Sequence, residues 1–230
     1  LNLTDETREG ILKHGVHWPH PVRLPELDES RHIEGQVADA ADEIAYVNHD
    51  LDDALRAGLL SFEMLGELPL VGEVEREVEE VAGDASASVR RARVIVAIID
   101  RLVTDLIECT AARLAELRLD SPEAVRRRPG KVVSASGSVD RARRELKAFL
   151  FDRFYSHPRV TRTTRKAERI IEELFRALSE DPSLLPGSVR ARFDLEGERR
   201  AIADYIAGMT DRFAMAEHRK LLDPHEGITV

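Results

Sequence analysis

Apolar residues recur at helical spacing from Ser88 to Leu117 in one unbroken pattern, and no other stretch constrains the fold as strongly. Val89, Ala92, Val96, Ile99, Leu102, Val103, Leu106, Ile107, Leu114 and Leu117 make a broad apolar face. A helix of that length crosses a whole domain as its backbone. Around it the pattern stays helical nearly throughout. Thr4 or Asp5 caps a first short helix running towards His14, with Glu6 and Glu9 well placed in its early turns. A helix from about Ile33 to Ala57 ends at Gly58, and Glu73 to Val81 reads as a short acidic helix closed by Gly83. Further helices are predicted over Val139 to Tyr155, Thr163 to Leu178 and Glu196 to Leu222.

Prolines make the segment from His17 through Pro25 irregular, because they remove donors and restrict the residues before them. Arg126 to Gly130 and Ser134 to Ser138 read as loops, with Lys131, Val132 and Val133 forming at most a short strand near 131–134. The expectation is an all-α, multi-helix bundle. Residues 1–117 form its core, and residues 118–230 form a helical region continuing the same domain.

The 230 residues are 43% hydrophobic and 33% charged, which suits a globular protein with many exposed helix faces. A net charge of −9 argues against a surface built throughout to coat nucleic acid. No stretch approaches the roughly 20 apolar residues that span a bilayer, so no membrane partner is expected. Leu1 to Gly10 has no apolar centre of the kind a signal peptide carries. Cys109 is the single cysteine and sits among apolar helix positions, which points to a small core residue and a cytoplasmic location.

Asp42, Tyr46 and Asp50 stand four residues apart in the Ile33 helix. Each step drifts by only about 40°, so the three form one polar stripe beside an apolar face of Val37, Ala40, Ala41, Ile44, Leu51 and Leu55. A carboxylate, a phenol and a second carboxylate in line suit a metal at one end and a hydroxylated ligand at the other. The plain alternative is a solvated acidic face.

A second cluster surrounds Pro158, where His157, Arg159, Arg162, Arg165 and Lys166 gather at a helix start. Free N–H groups there favour anions and arginine forks match phosphate oxygens, whereas cations alone oppose the helix dipole. A solvated basic surface, or ion pairs to Asp152 and Glu168, is the competing reading. His14, His17, His20 and His32 lack a metal-binding spacing, and His49 and Asp50 point about 100° apart on their helix. No glycine-rich phosphate loop, nucleophile elbow or CxxC motif is present.

Four stretches carry a resemblance. They are Leu1-Asn2-Leu3-Thr4 with Thr7 to His14, Glu34 to Asp39 running into Ala41 to Tyr46, Tyr155-Ser156-His157-Pro158-Arg159-Val160, and Asp204 to Arg212. In that order they resemble the bacterial deoxyguanosine triphosphate triphosphohydrolase-like proteins of the HD-domain superfamily, over essentially the whole chain. The resemblance implies an all-helical HD-type fold and metal-dependent hydrolysis of a deoxynucleoside triphosphate to deoxynucleoside and triphosphate. It implies a divalent metal such as Mg or Mn with Asp42 as a ligand. It places Tyr46 and Asp50 at the deoxyribose and its 3′-hydroxyl, and His157, Arg159 and Arg162 near the triphosphate. A homo-oligomer regulated by nucleotides is expected from the family, and nucleic acid stays open as a regulator.

The family's first metal-binding histidine and its His-Asp pair precede the Leu-Asn-Leu-Thr motif. Three of four ligands are therefore expected to be missing from a sequence that starts at that motif. The chain is expected to be the C-terminal portion of such an enzyme, inactive by itself. The alternative is a non-catalytic nucleotide-binding or oligomerisation portion.

Overall fold

The computed structural model describes residues 2–14 and 31–223. The irregular tract expected from His17 to Pro25 lies outside the described residues. Every regular element among the described residues is helical: α1 (Asp5–Lys13), α2 (Ile33–Arg56), α3 (Phe62–Leu65), α4 (Pro69–Ala82), α5 (Ala87–Leu117), α6 (Pro122–Arg127), α7 (Gly137–Leu150), α8 (Pro158–Glu180), α9 (Gly187–Arg190), α10 (Phe193–Glu196), α11 (Glu198–Ala207) and α12 (Asp211–Leu222). A π-helical turn, Phe151–Tyr155, continues α7, and a 3₁₀ turn, Pro182–Leu184, follows α8. The all-α expectation holds. None of these helices is long and apolar enough to cross a membrane. The chain divides into two compact units, Leu1–Tyr155 and Ser156–Val230.

In the first unit α5 packs on α2 and α4. Val94, Ile95, Ile98 and Leu102 of α5 meet Ile44, Val47, Leu51 and Ala54 of α2, Leu70, Val71 and Val74 of α4, and Leu146 and Leu150 of α7 in one buried cluster. Most of these side chains are fully withdrawn from water, each contributing about 1.5–3 kcal/mol by transfer. The apolar face expected on α2 needs two corrections, since Val37 and Ala41 are exposed. Over the first turns it is the Gly35–Gln36 side of α2 that is covered.

Gln36 explains that covering. Its Oε1 accepts from the backbone N–H of Val132 at 2.7 Å and of Val133 at 3.2 Å, while its Nε2 donates to the Arg31 carbonyl at 2.7 Å. The 131–134 tract is therefore no strand. Its donors are satisfied by a side chain where a neighbouring strand would otherwise be needed. His32 does similar work between α1 and α2. Its Nδ1 accepts from the Gly35 N–H at 3.0 Å, and that capping bond leaves the proton on Nε2, which donates to the Glu6 carbonyl at 2.8 Å.

The second unit has its own core of Leu174 and Leu178 from α8, Leu185, Val189 of α9, and Ala201, Ile202 and Ile206 of α11. Helix α8 starts at Pro158, five residues before the expected Thr163, because proline is suited to the first helical position and His157 caps it. The single helix expected over Glu196 to Leu222 is broken twice. Gly197, at φ +86°, takes a conformation that favours glycine and separates α10 from α11. Thr210 then starts α12 by accepting from the Phe213 N–H at 3.3 Å.

Replacing Gln36 with Leu leaves two buried amide donors without an acceptor. Gln36→Leu should lower unfolding stability by about 2–4 kcal/mol in urea titrations; a loss under about 0.5 kcal/mol would show that the contacts carry little.

Candidate active site

Burial of Val47, Leu51 and Ala54 turns the opposite side of α2 outward, and that side carries the Asp42, Tyr46 and Asp50 stripe. Asp42 is exposed, its side chain 69% accessible, with the His14 Nε2 at 3.8 Å. The other nitrogen of His14, Nδ1, lies 2.7 Å from Asp39, which also pairs with Arg31. Among the described residues no three His, Cys, Asp or Glu side chains converge as metal ligands.

One turn on, the stripe meets an aromatic group. The Tyr155 hydroxyl donates to the Asp50 carboxylate and lies 2.7 Å from the Tyr46 hydroxyl. A phenol has one proton, so with that proton directed at Asp50 the Tyr155 oxygen accepts from Tyr46. The Tyr46 and Tyr155 rings stack at a centroid distance of 6.5 Å and an interplanar angle of 21°. Phe154 and Phe151 back Tyr155 at 5.4 and 6.2 Å. Burial, the Asp50 carboxylate and the Tyr46 hydroxyl all push the Tyr155 phenol above its ordinary pKa, so it stays a neutral donor.

The π-turn brings Tyr155 to this position. An α-helix continued through residue 155 would aim it elsewhere, and π-turns recur at functional sites for that reason. Tyr155 is the residue that the sequence reading leaves without a role. Its sequence signals are its place at the head of the Tyr155-Ser156-His157-Pro158-Arg159-Val160 stretch and the aromatic run Phe151, Phe154, Tyr155 just before the Pro158 break.

In the second unit, His157 caps α8, its Nδ1 accepting from the Arg159 N–H at 3.2 Å. Arg159 and Arg162 are exposed on the first turns, and Arg162 has no ion-pair partner among the described residues. The competing ion-pair reading holds for two neighbours: Arg165 pairs with Glu168 at 3.0 Å, and Arg153 in the first unit with Asp152 at 3.0 Å.

Beside the stripe, a cleft of about 320 Å³ lies between α2, α5, α7 and the 131–135 tract, with Asp39, Glu43, Arg113, Lys131, Asp140 and Arg143 among its lining residues. Its charges largely answer one another. Arg143 pairs with Glu43 and with Asp140 at 2.8 Å, and Lys147 reaches Glu43 at 3.3 Å. Burial pushes the Glu43 carboxyl up, but the hydrogen bonds and charges of Arg143 and Lys147 outweigh it and hold the group below its ordinary range. The Arg143 hydrogen bond does the same for Asp140.

Residues 133–220 match a family described as a phosphohydrolase-associated domain. Over nearly all its length the chain is similar to deoxyguanosinetriphosphate triphosphohydrolase-like proteins. The protein of Bordetella pertussis is 46% identical over 234 residues, covering 97% of this chain and 59% of the relative. That of Ralstonia pickettii is 42% identical, covering 96% and 58%. That of Geobacter metallireducens is 37% identical, covering 99% and 60%. The chain thus spans about three-fifths of the length of these curated relatives.

The cleft's ion network has a pH signature. Glu43 and Asp140 titrate lower in the folded chain than unfolded, so on acidification the unfolded state takes up protons first. Their stabilisation is complete above the ordinary carboxylate range and is lost as pH falls through the folded values. Arg143→Met should flatten the stability profile between about pH 6 and pH 3, the two proteins converging at the acid end; parallel profiles would exclude the network as the source.

Proposed function

The chain belongs to the deoxyguanosinetriphosphate triphosphohydrolase-like family of phosphohydrolases, and on that premise we propose that α2 and Tyr155 form the sugar-binding wall of a site cleaving a deoxynucleoside triphosphate to deoxynucleoside and triphosphate. One observation carries the reading: the Tyr155 phenol joined to both Asp50 and Tyr46. Asp50 is an acceptor-only group whose present donor is a hydroxyl, which is the chemistry a sugar 3′-hydroxyl would supply in its place. The two near-parallel rings make a flat apolar wall of the kind a deoxyribose packs against. A 2′-hydroxyl pressed on such a wall would lose its hydration without a partner, which disfavours a ribonucleotide. Arg159 and Arg162, with the His157 cap, are the groups we assign to the triphosphate, where guanidinium forks would offset charge on the leaving group.

A metal is the family's expected cofactor, and the described residues do not fit it by themselves. Asp42 is one exposed carboxylate with a single histidine nitrogen nearby. Divalent cations need several convergent ligands, so Asp42 is assigned as one contributed ligand and no step is routed through the ion. That same incompleteness favours a second reading, in which this chain binds the nucleotide and does not turn it over.

Titration calorimetry of the 230-residue chain with dGTP should register binding, and Asp50→Asn should weaken it roughly tenfold or more through loss of a charged acceptor. Unchanged affinity would remove Asp50 from the site. Incubation with dGTP and Mn²⁺ or Mg²⁺ separates the two readings: triphosphate release favours a catalytic chain, and binding without release favours the second. In a protein of the relatives' full length, Asp42→Ala should abolish both metal binding and triphosphate release, and wild-type turnover would end the ligand assignment.

A further inference from the structure

The usual helix caps are Ser, Thr, Asp and Asn, whose oxygens accept at any ordinary pH; an imidazole accepts only while one of its nitrogens is bare. His32 caps α2 in this second way, its Nδ1 accepting from the Gly35 N–H at 3.0 Å. Gly35 is buried, and its amide is one of the helix-start donors that no carbonyl of the helix reaches. The His32 ring is itself enclosed, at 7% exposure. It lies against Gly10 of α1 and Gly35 of α2, where an added Cβ would come to 3.5 Å from Nε2 and 3.2 Å from Cε1 respectively. Nε2 donates to the Glu6 carbonyl at 2.8 Å, so the ring is held between the two helices.

The charges around His32 give the ring a second partner. The Oε2 of Glu34 lies 3.2 Å from the same Nδ1. Two acceptors do not bond each other, so this contact is idle while Nδ1 is bare and becomes a charge-assisted hydrogen bond once Nδ1 carries a proton. On the α1 side the Glu6 carboxylate lies within electrostatic reach of both the ring and Arg126. The nearby cations are already answered: Arg31, which packs on Gly35, pairs with Asp39, and Lys13 and Arg126 share Glu9. Among the described residues the imidazolium form therefore meets two carboxylates, Glu34 and Glu6, and gives up the Gly35 N–H.

We propose that His32 is a pH-operated latch on the start of α2. Neutral, it closes the first turn by accepting from Gly35; protonated, it presents the same nitrogen as a donor to Glu34 and lets that turn open. Histidine is the one side chain that ordinarily changes charge between about pH 5 and pH 8, which sets the window to test. A cation at a helix start also opposes the helix dipole, which adds to the loss of the cap. The turn matters because Gln36 stands in it and holds the Val132 and Val133 amides. Opening it loosens the 131–134 tract, and with it one wall of the cleft, while Val47, Leu51 and Ala54 keep the rest of α2 seated. The latch does not depend on what the candidate site binds.

Hydrogen exchange followed by NMR, corrected for the pH dependence of intrinsic exchange, reads the latch amide by amide. Between about pH 7.5 and pH 5.5 the Gly35 amide should lose about tenfold in protection, in step with titration of the His32 ring, with Val132 and Val133 following. The Val47 and Leu51 amides should stay protected over the same range. His32→Thr keeps a capping oxygen that does not titrate and should make Gly35 protection flat. Glu34→Gln removes the waiting charge and should move the loss to lower pH. Constant Gly35 protection while the ring titrates overturns the proposal, as does a ring that stays neutral down to about pH 5.5. So does the same acid loss in His32→Thr, or a loss shared equally by Val47 and Leu51, which would be general unfolding.

Discussion

The burial of α2 against α5 is the constraint on which the first unit turns. Val47, Leu51 and Ala54 are completely enclosed, and a helix held that firmly on one side has no rotational freedom left on the other. The outward position of Asp42, Tyr46 and Asp50 follows from core packing and needs no interaction of their own. Gln36 then extends the same register to the start of α2 by holding the 131–134 tract, so one helix fixes both the candidate site and the cleft beside it. Rigid placement of this kind is what a binding wall requires, because its groups are in position before a ligand arrives.

The electrostatics around α2 divide into two kinds. The Glu43, Asp140, Arg143 and Lys147 set is mutually satisfied and reads as scaffold. In the Asp50, Tyr46 and Tyr155 set, Asp50 is reached by a hydroxyl group, which a ligand hydroxyl can replace at little cost. That difference, more than the amount of charge, makes the second set the better candidate for a functional role.

The sequence carried the long elements clearly. Periodicity alone located α5 and α2 almost to the residue, but it misjudged the buried side of α5: of the expected face, Val89, Ala92, Val96, Val103 and Ile107 are exposed, and Val94, Ile95 and Ile98 are buried beside Leu102 instead. It also put Asp42, Tyr46 and Asp50 on one face. The remainder depended on contacts that periodicity does not encode. The 131–134 tract has the composition of a strand and the hydrogen bonding of a loop held by a distant glutamine. The C-terminal helix reads as continuous until Gly197 and Thr210 interrupt it. Tyr155 was hidden for a different reason: a π-turn shifts side-chain direction without leaving a compositional mark.

The π-turn at Phe151–Tyr155 also determines which changes in chain length the site can survive. Such a turn is in effect one residue added to a helix. Removing a residue there would let α7 run on as ordinary helix, keeping its hydrogen bonds while swinging Tyr155 by about 100° away from Asp50. The fold would gain regularity and the site would lose its aromatic partner. Phe154 and Tyr155 also pack on the core of the first unit, so a shortened segment would disturb that packing as well as remove the Tyr155 hydroxyl from Asp50.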